Sequence, residues 1–165
     1  MKKILISVTA VLLSVYCMAQ EKLSFPFQGG KDVMNAFFRD SLTVSPDIVK
    51  KKATGLVVFK FTADEKGHIS KMVIYYADDV TLASPVINAL KKSNHKWVIP
   101  DHEKFHDFII PFAFNFNKPA LSTRGLQKAV YDNYANRKPI FSTDQVPLDM
   151  ATLLPTVMIN YDIAP

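Results

Sequence analysis

The residues with the most obvious chemical potential are His102, Glu103, Lys104, Phe105 and His106, which spell HExxH. On a helix, two imidazoles at that spacing stand one turn apart and can hold zinc, while the glutamate activates a bound water. The chemistry therefore needs a helix. Here Pro100 lies just upstream and an apolar β pattern begins near Phe108, which leaves room for barely one turn. No glutamate follows Glu103, so a third ligand would have to be a residue such as Asp132. Three fixed positions in five residues recur by chance, so the expectation is a polar surface loop. A zinc-dependent hydrolase built on His102 and His106 is the alternative. His68, beside Gly67, and His95 have no ligand spacing with His102 and read as surface residues. Trp97 has its ordinary role in packing over a helix end. No catalytic residue and no cofactor is expected.

The elements that would position these residues can be read from periodicity. Val33, Met34, Ala36, Phe37 and Phe38 fall at helical spacings between Gly29-Gly30 and Pro46, which predicts a helix from about Lys31 to Leu42. From Gly55 the pattern turns to β. Residues Leu56 to Phe61 and Ile69 to Tyr76 form two strands joined by Asp64, Glu65, Lys66 and Gly67, a hairpin. Tyr75 and Tyr76 alternate faces, so one is expected inside and the other outside. Ser84-Pro85 reads as a helix start, the serine capping and the proline at the first helical position. That helix should run to Ser93 and Asn94. Phe108, Ile110, Phe112, Phe114 and Phe116 then recur at period two, so one face of a closing strand must be buried. The expected fold class is α+β, a small antiparallel sheet of a hairpin plus the last strand, packed against two helices.

Two further segments follow. Leu126, Val130 and Tyr134 lie four apart, with Ser122 and Thr123 as caps and Pro139 as a stop, which predicts another helix. Thr156 to Tyr161 has strand composition, and is expected to cover the sheet or pair with its edge in the same chain or a partner. The domain division is therefore 1–19, 20–116 and a C-terminal extension, 117–165.

Residues 1–19 read as a secretory signal: Lys2 and Lys3, an uncharged run from Ile4, and Ala19 before Gln20. The run is at the short end of the ~17–25 residues that span a bilayer, so cleavage is expected and no transmembrane span is retained. Lipid attachment at Cys17 is a minor alternative, because Tyr16 precedes it. Cleavage before Gln20 removes the one cysteine, so no disulfide braces the fold. With 48% hydrophobic residues and 12 phenylalanines, a packed core is within reach. The formal charge of +5 falls by two, to +3, on loss of Lys2 and Lys3, too weak to argue for nucleic acid. Lys50, Lys51 and Lys52 read as a solvated linker face.

The order of these elements resembles the C-terminal domain of TonB-like proteins, in the short secreted form common in the Bacteroidota. The resemblance is carried by Phe25, Pro26, Gly29 and Gly30 ahead of Ala36, Phe37 and Phe38, and by Pro46. It continues through Gly55, Val57, Phe59, Gly67 and Pro100 to the strand that ends at Phe116. Phe27, Gln28 and Ser45 depart from the family pattern, and residues 117–165 lie outside it.

The resemblance implies a non-enzymatic, periplasmic or secreted module that binds an envelope protein or extended peptide by sheet-edge pairing. An exposed edge offers unpaired backbone groups, and pockets beside it select side chains. Pro111 cannot donate to a ladder, which points to the last strand as that edge. Phe108, Ile109, Pro111, Ala113 and Asn115 are accordingly the expected partner-binding residues. A complete energy transducer is not expected, since only a few residues separate Gln20 from the fold. A homo-oligomer and a self-contained structural envelope protein are the remaining alternatives.

Overall fold

The computed structural model describes residues 25–117, 123–143 and 150–163. The expected signal sequence, Cys17 and Ser122 lie outside the described residues. Among those described, no helix is long and apolar enough to cross a membrane.

The chain is α+β, with four helices and a six-stranded mixed sheet among the described residues. Helix α1 spans Gly30–Ser41 and buries Met34 and Phe38, the inward positions of its apolar stripe. Helix α2, Pro46–Lys51, starts where Ser45 accepts a hydrogen bond from the Ile48 amide and Pro46 takes the first helical position. It buries Ile48, and Lys52 closes it in the left-handed conformation (φ 52°). The lysines expected on a linker are therefore the last turn and C-cap of a helix, where positive charge suits the helix dipole.

Strands β1 (Gly55–Asp64) and β2 (Ile69–Ala77) form the expected hairpin, and β3 (Phe105–Phe116) pairs antiparallel with the other side of β1. Gly67 closes the hairpin at φ 71°, with its turn packed on the segment after the next helix. A Cβ there would come within 2.5 Å of the Trp97 carbonyl oxygen. Register shifts at Val58/Phe59 and Thr62/Ala63 place extra residues on β2, so Tyr75 and Tyr76 do not alternate cleanly, and both are half-buried.

Helix α3 runs from Val80 to Lys92, five residues earlier than Ser84-Pro85 suggests. Asp79 is its cap: the carboxylate accepts from the Thr81 amide (2.8 Å) and hydroxyl (2.7 Å). Burial alone would push the Asp79 carboxyl up, but these Thr81 bonds and the Lys138 amide hold it below the usual range. Pro85 thus sits inside the helix, where it gives up a backbone bond and buries its ring in the core. Helix α4, Arg124–Ala135, begins at Thr123, whose hydroxyl accepts from the Leu126 amide. None of its residues is buried.

The remaining strands, β4 (Ile140–Phe141), β5 (Thr152–Leu153) and β6 (Val157–Tyr161), all join the same sheet. The order is β4-β2-β1-β3-β5, with β6 also on β3. The β5 and β6 pairings are parallel, so the sheet is larger than the expected three strands and mixed rather than antiparallel. Its inner face contributes Val57, Phe59 and Phe61 from β1 and Phe108, Ile110, Phe112 and Phe114 from β3, all essentially inaccessible to solvent. Each such side chain contributes about 1.5–3 kcal/mol of transfer free energy. Trp97 packs among Phe27, Phe61 and Phe108, and its indole N–H donates to Ser93 Oγ (3.0 Å) at the end of α3. That is the helix-end role expected for it.

Candidate functional site

The two sides of the β2-β1-β3 centre are the places where a strand could be added. On the β3 side the chain adds its own. Phe108 and Ile109 pair with Thr152 and Leu153 of β5, and Phe112 to Phe116 pair with Val157 to Tyr161 of β6. In parallel register, paired residues point to the same face. Val157, Ile159 and Tyr161 therefore extend the buried face of Phe112, Phe114 and Phe116, while Met158 is exposed. The Tyr161 hydroxyl donates to the Ala53 carbonyl (2.7 Å), and burial raises its pKa to about 12. The Asn117 amide donates to the Tyr161 carbonyl (2.8 Å), fixing the far end.

Of the expected partner-binding residues, Phe108 is buried against Phe61 and Trp97. Ala113 and Asn115 lie opposite Met158 and Asn160, and Ile109 accepts from the Leu154 amide (2.8 Å). β3 is thus an interior strand, and the edge that these residues were expected to offer is occupied. Pro111 shows how one sign misleads. It lies between the β5 and β6 pairings, on the side to which Ile109 directs its carbonyl, so its missing donor falls at the handover from one strand to the next.

The HExxH residues sit at the start of this same side. His102 is exposed in a turn (φ 71°), whereas His106 is in β3, so the two imidazoles do not share a helix face. His106 Nδ1 meets Glu103 Oε2 and its Nε2 meets Thr152 Oγ1, each at 2.7 Å. The histidine ties β3 to β5. Asp132 lies on α4, 3.4 Å from Lys128 Nζ. Among the described residues no three His, Cys, Asp or Glu side chains are grouped to hold a metal. His68 and His95 come together at the hairpin turn with ring centroids 5.6 Å apart, and both are exposed.

Across the outer face, Lys60 Nζ meets Asp107 Oδ2 at 2.7 Å, and the Thr62 hydroxyl donates to Asp107 Oδ1. Burial alone would raise the Asp107 carboxyl, but Lys60 and Thr62 hold it below the usual range. These charges tie β1 to β3 rather than facing a ligand.

The β2 side differs. β4 pairs with Tyr76 and Ala77, and the Ser142 amide donates to the Tyr75 carbonyl (3.1 Å). At the other end the Ile69 amide donates to Asn94 Oδ1 (2.7 Å). Between those two closures, from Ser70 to Ile74, no strand pairs with the side of β2 that faces away from β1 among the described residues. A groove of about 360 Å³ opens there, lined by Ile69, Ser70, Lys71, Met72, Lys91 and Asn94. The sequence carries no sign of it, because which hairpin strand lies outermost depends on where β3 pairs. No family model, curated protein or solved structure matches the chain.

Proposed function

We propose that this chain is a non-enzymatic protein-binding module of the cell envelope, periplasmic or secreted after signal cleavage, which takes an extended segment of an envelope protein by sheet-edge pairing. The reading keeps the resemblance to TonB-type C-terminal domains. The observation that carries it is the stretch of β2 from Ser70 to Ile74, which is open among the described residues, bounded by Asn94 and Ser142 and flanked by a groove. Such an edge supplies backbone donors and acceptors, and the groove supplies side-chain selection. β3, with its own tail beside it, illustrates that this sheet accepts strand addition. The same tail favours a second reading, a self-contained envelope protein whose sheet is completed by its own extension.

The two readings separate by site-specific photocrosslinking in solubilised envelope. A crosslinker replacing Ser70 is expected to capture one protein through a contiguous extended segment, while one replacing the exposed Asp32 on α1 captures none. A synthetic copy of the captured segment should shift the Ser70–Ile74 amide resonances. Capture from neither position, or equally from both, favours the self-contained reading.

A further inference from the structure

Two histidines far apart in the chain meet where the hairpin turn packs on the segment after α3. The rings of His68 and His95 have centroids 5.6 Å apart, and both residues are exposed. Two imidazoles on one ion, at metal–nitrogen distances of about 2.0–2.1 Å and a near-tetrahedral angle, have centroids roughly 5.2 Å apart. The observed separation therefore needs only a small side-chain rotation to meet an ion. The backbone holds the pair in place. The His95 amide donates to the Gly67 carbonyl (2.7 Å) and the Ile69 amide to Asn94 Oδ1 (2.7 Å), so both neighbours of His68 are bonded to His95 or to the residue before it. Asp64 Oδ1 accepts from the Lys66 and His68 amides (2.9 Å each), and Gln28 Nε2 donates to the His95 carbonyl (2.9 Å). The ring nitrogens are arranged as well. His95 Nδ1 lies 3.3 Å from the Lys66 carbonyl oxygen; a carbonyl only accepts, so the proton belongs on Nδ1 and Nε2 keeps its lone pair. His68 Nδ1 lies 3.9 Å from Asp64 Oδ2. Metal-bound histidines turn their second nitrogen to a carbonyl or carboxylate, which sets the tautomer, and these two do the same. By contrast, both nitrogens of His106 are taken by Glu103 and Thr152, and His102 stands in a separate turn.

We propose that His68 and His95 together bind one divalent transition-metal ion through their Nε2 atoms, with Asp64 and the Lys66 carbonyl as outer partners. The inference goes beyond edge pairing and does not depend on it. Imidazole suits Cu2+, Ni2+ and Zn2+, and the general order of affinities puts Cu2+ first. No third His, Cys, Asp or Glu is grouped with the pair to hold a metal among the described residues, so water fills the remaining positions. The Asp64 carboxylate offsets part of the ion's charge. An ion held this way clips the hairpin turn to the segment that follows α3. Because the two rings meet only in the folded chain, the ion stabilises that state by mass action.

The test titrates the purified chain, free of any histidine tag, with zinc chloride and with copper(II) chloride. Calorimetry reads stoichiometry and affinity, imidazole nitrogen resonances read the location of Zn2+, and thermal unfolding reads the stabilisation. One ion per chain is expected, with Cu2+ tighter than Zn2+, and with Zn2+ shifting the rings of His68 and His95 but not those of His102 and His106. His68→Gln and His95→Asn should each weaken binding by more than the about ten-fold that loss of an outer partner costs, and the double variant should lose the rise in unfolding temperature. Asparagine is chosen at position 95 because it tolerates the left-handed backbone there (φ 65°). Unfolding in chelator should coincide for the unaltered chain and the variants, and the ring shifts of the unaltered chain locate the ion whatever the variants do. Equal affinity of the double variant and the unaltered chain, ring shifts confined to His102 and His106, or no binding of either ion by the unaltered chain would overturn the proposal.

Discussion

The two sides of the hairpin-plus-β3 centre carry the same kind of backbone and have opposite fates. β3 is the more apolar strand, and the chain covers it with β5 and β6, fastened by His106 to Thr152 at one end and by Tyr161 to Ala53 at the other. β2 carries register shifts and an exposed lysine, and among the described residues the chain closes only its two ends. The contrast shows what makes an edge tolerable. A long, regular, apolar edge needs a permanent strand, whereas one interrupted by extra residues and charge can stay open without inviting aggregation.

The comparison breaks most visibly at the β6 core. Ile159→Ala, at a site 4% exposed, should cost about 2–5 kcal/mol in denaturant unfolding and speed amide exchange along β6. If the loss is no larger than for a surface residue, β6 is only loosely seated and the two sides are alike. Alkaline pH is the next largest lever. The folded-state pKa of Tyr161 is raised from 10.0 to about 12, so its contribution is fully present below pH 10 and is lost as pH rises through 12. That amounts to on the order of 2 kcal/mol, and Tyr161→Phe should shrink this alkaline loss. Tyr161→Phe should also cost about 1 kcal/mol at neutral pH by leaving the Ala53 carbonyl short of a donor.

Smaller still, Thr152→Val should cost about 0.5–1.5 kcal/mol and quicken exchange of the Leu154 amide, while leaving β2 unchanged. Smallest of all, Lys71→Gln should move stability by no more than about 0.5 kcal/mol, since that ammonium has no carboxylate partner among the described residues. A larger loss on thermal unfolding would show the β2 edge to be structural, and the asymmetry would disappear.

Much of the centre was legible because short-range signals agreed there. The Gly67 hairpin, the period-two run ending at Phe116 and the α1 stripe each coincide with an observed element. The Ser-Pro pairs show where such signals stop. Ser84-Pro85 has the chemistry of a helix start, yet Asp79 caps α3 upstream and the pair is carried inside. Ser45-Pro46 has the same chemistry and does start a helix, α2, but its segment is only six residues long and too short to show a stripe. The aspartate followed two residues later by a threonine was the available sign of the true start. The site was harder to read than the fold. Pro111 signals a missing donor, and sequence cannot say whether solvent or a strand handover lies opposite it. Lys71, Lys91 and Asn94 line one groove only once the sheet order sets β2 outside.

The pairing of β3 with β6 also has a consequence in time. The hairpin closes across a four-residue turn, whereas His106 and Thr152 are separated by 46 residues, so the tail must close a far longer loop before it gains any contact. The tail is also synthesised after β3. During folding there is therefore an interval in which a 12-residue strand, β3, stands beside the hairpin with its apolar flank bare. A chain that arrives whole shortens that interval, and one clipped before Thr152 makes it permanent. Proteolytic loss of the tail would then convert this protein into a species that adheres to neighbouring chains, at a rate set by how often β6 lifts away.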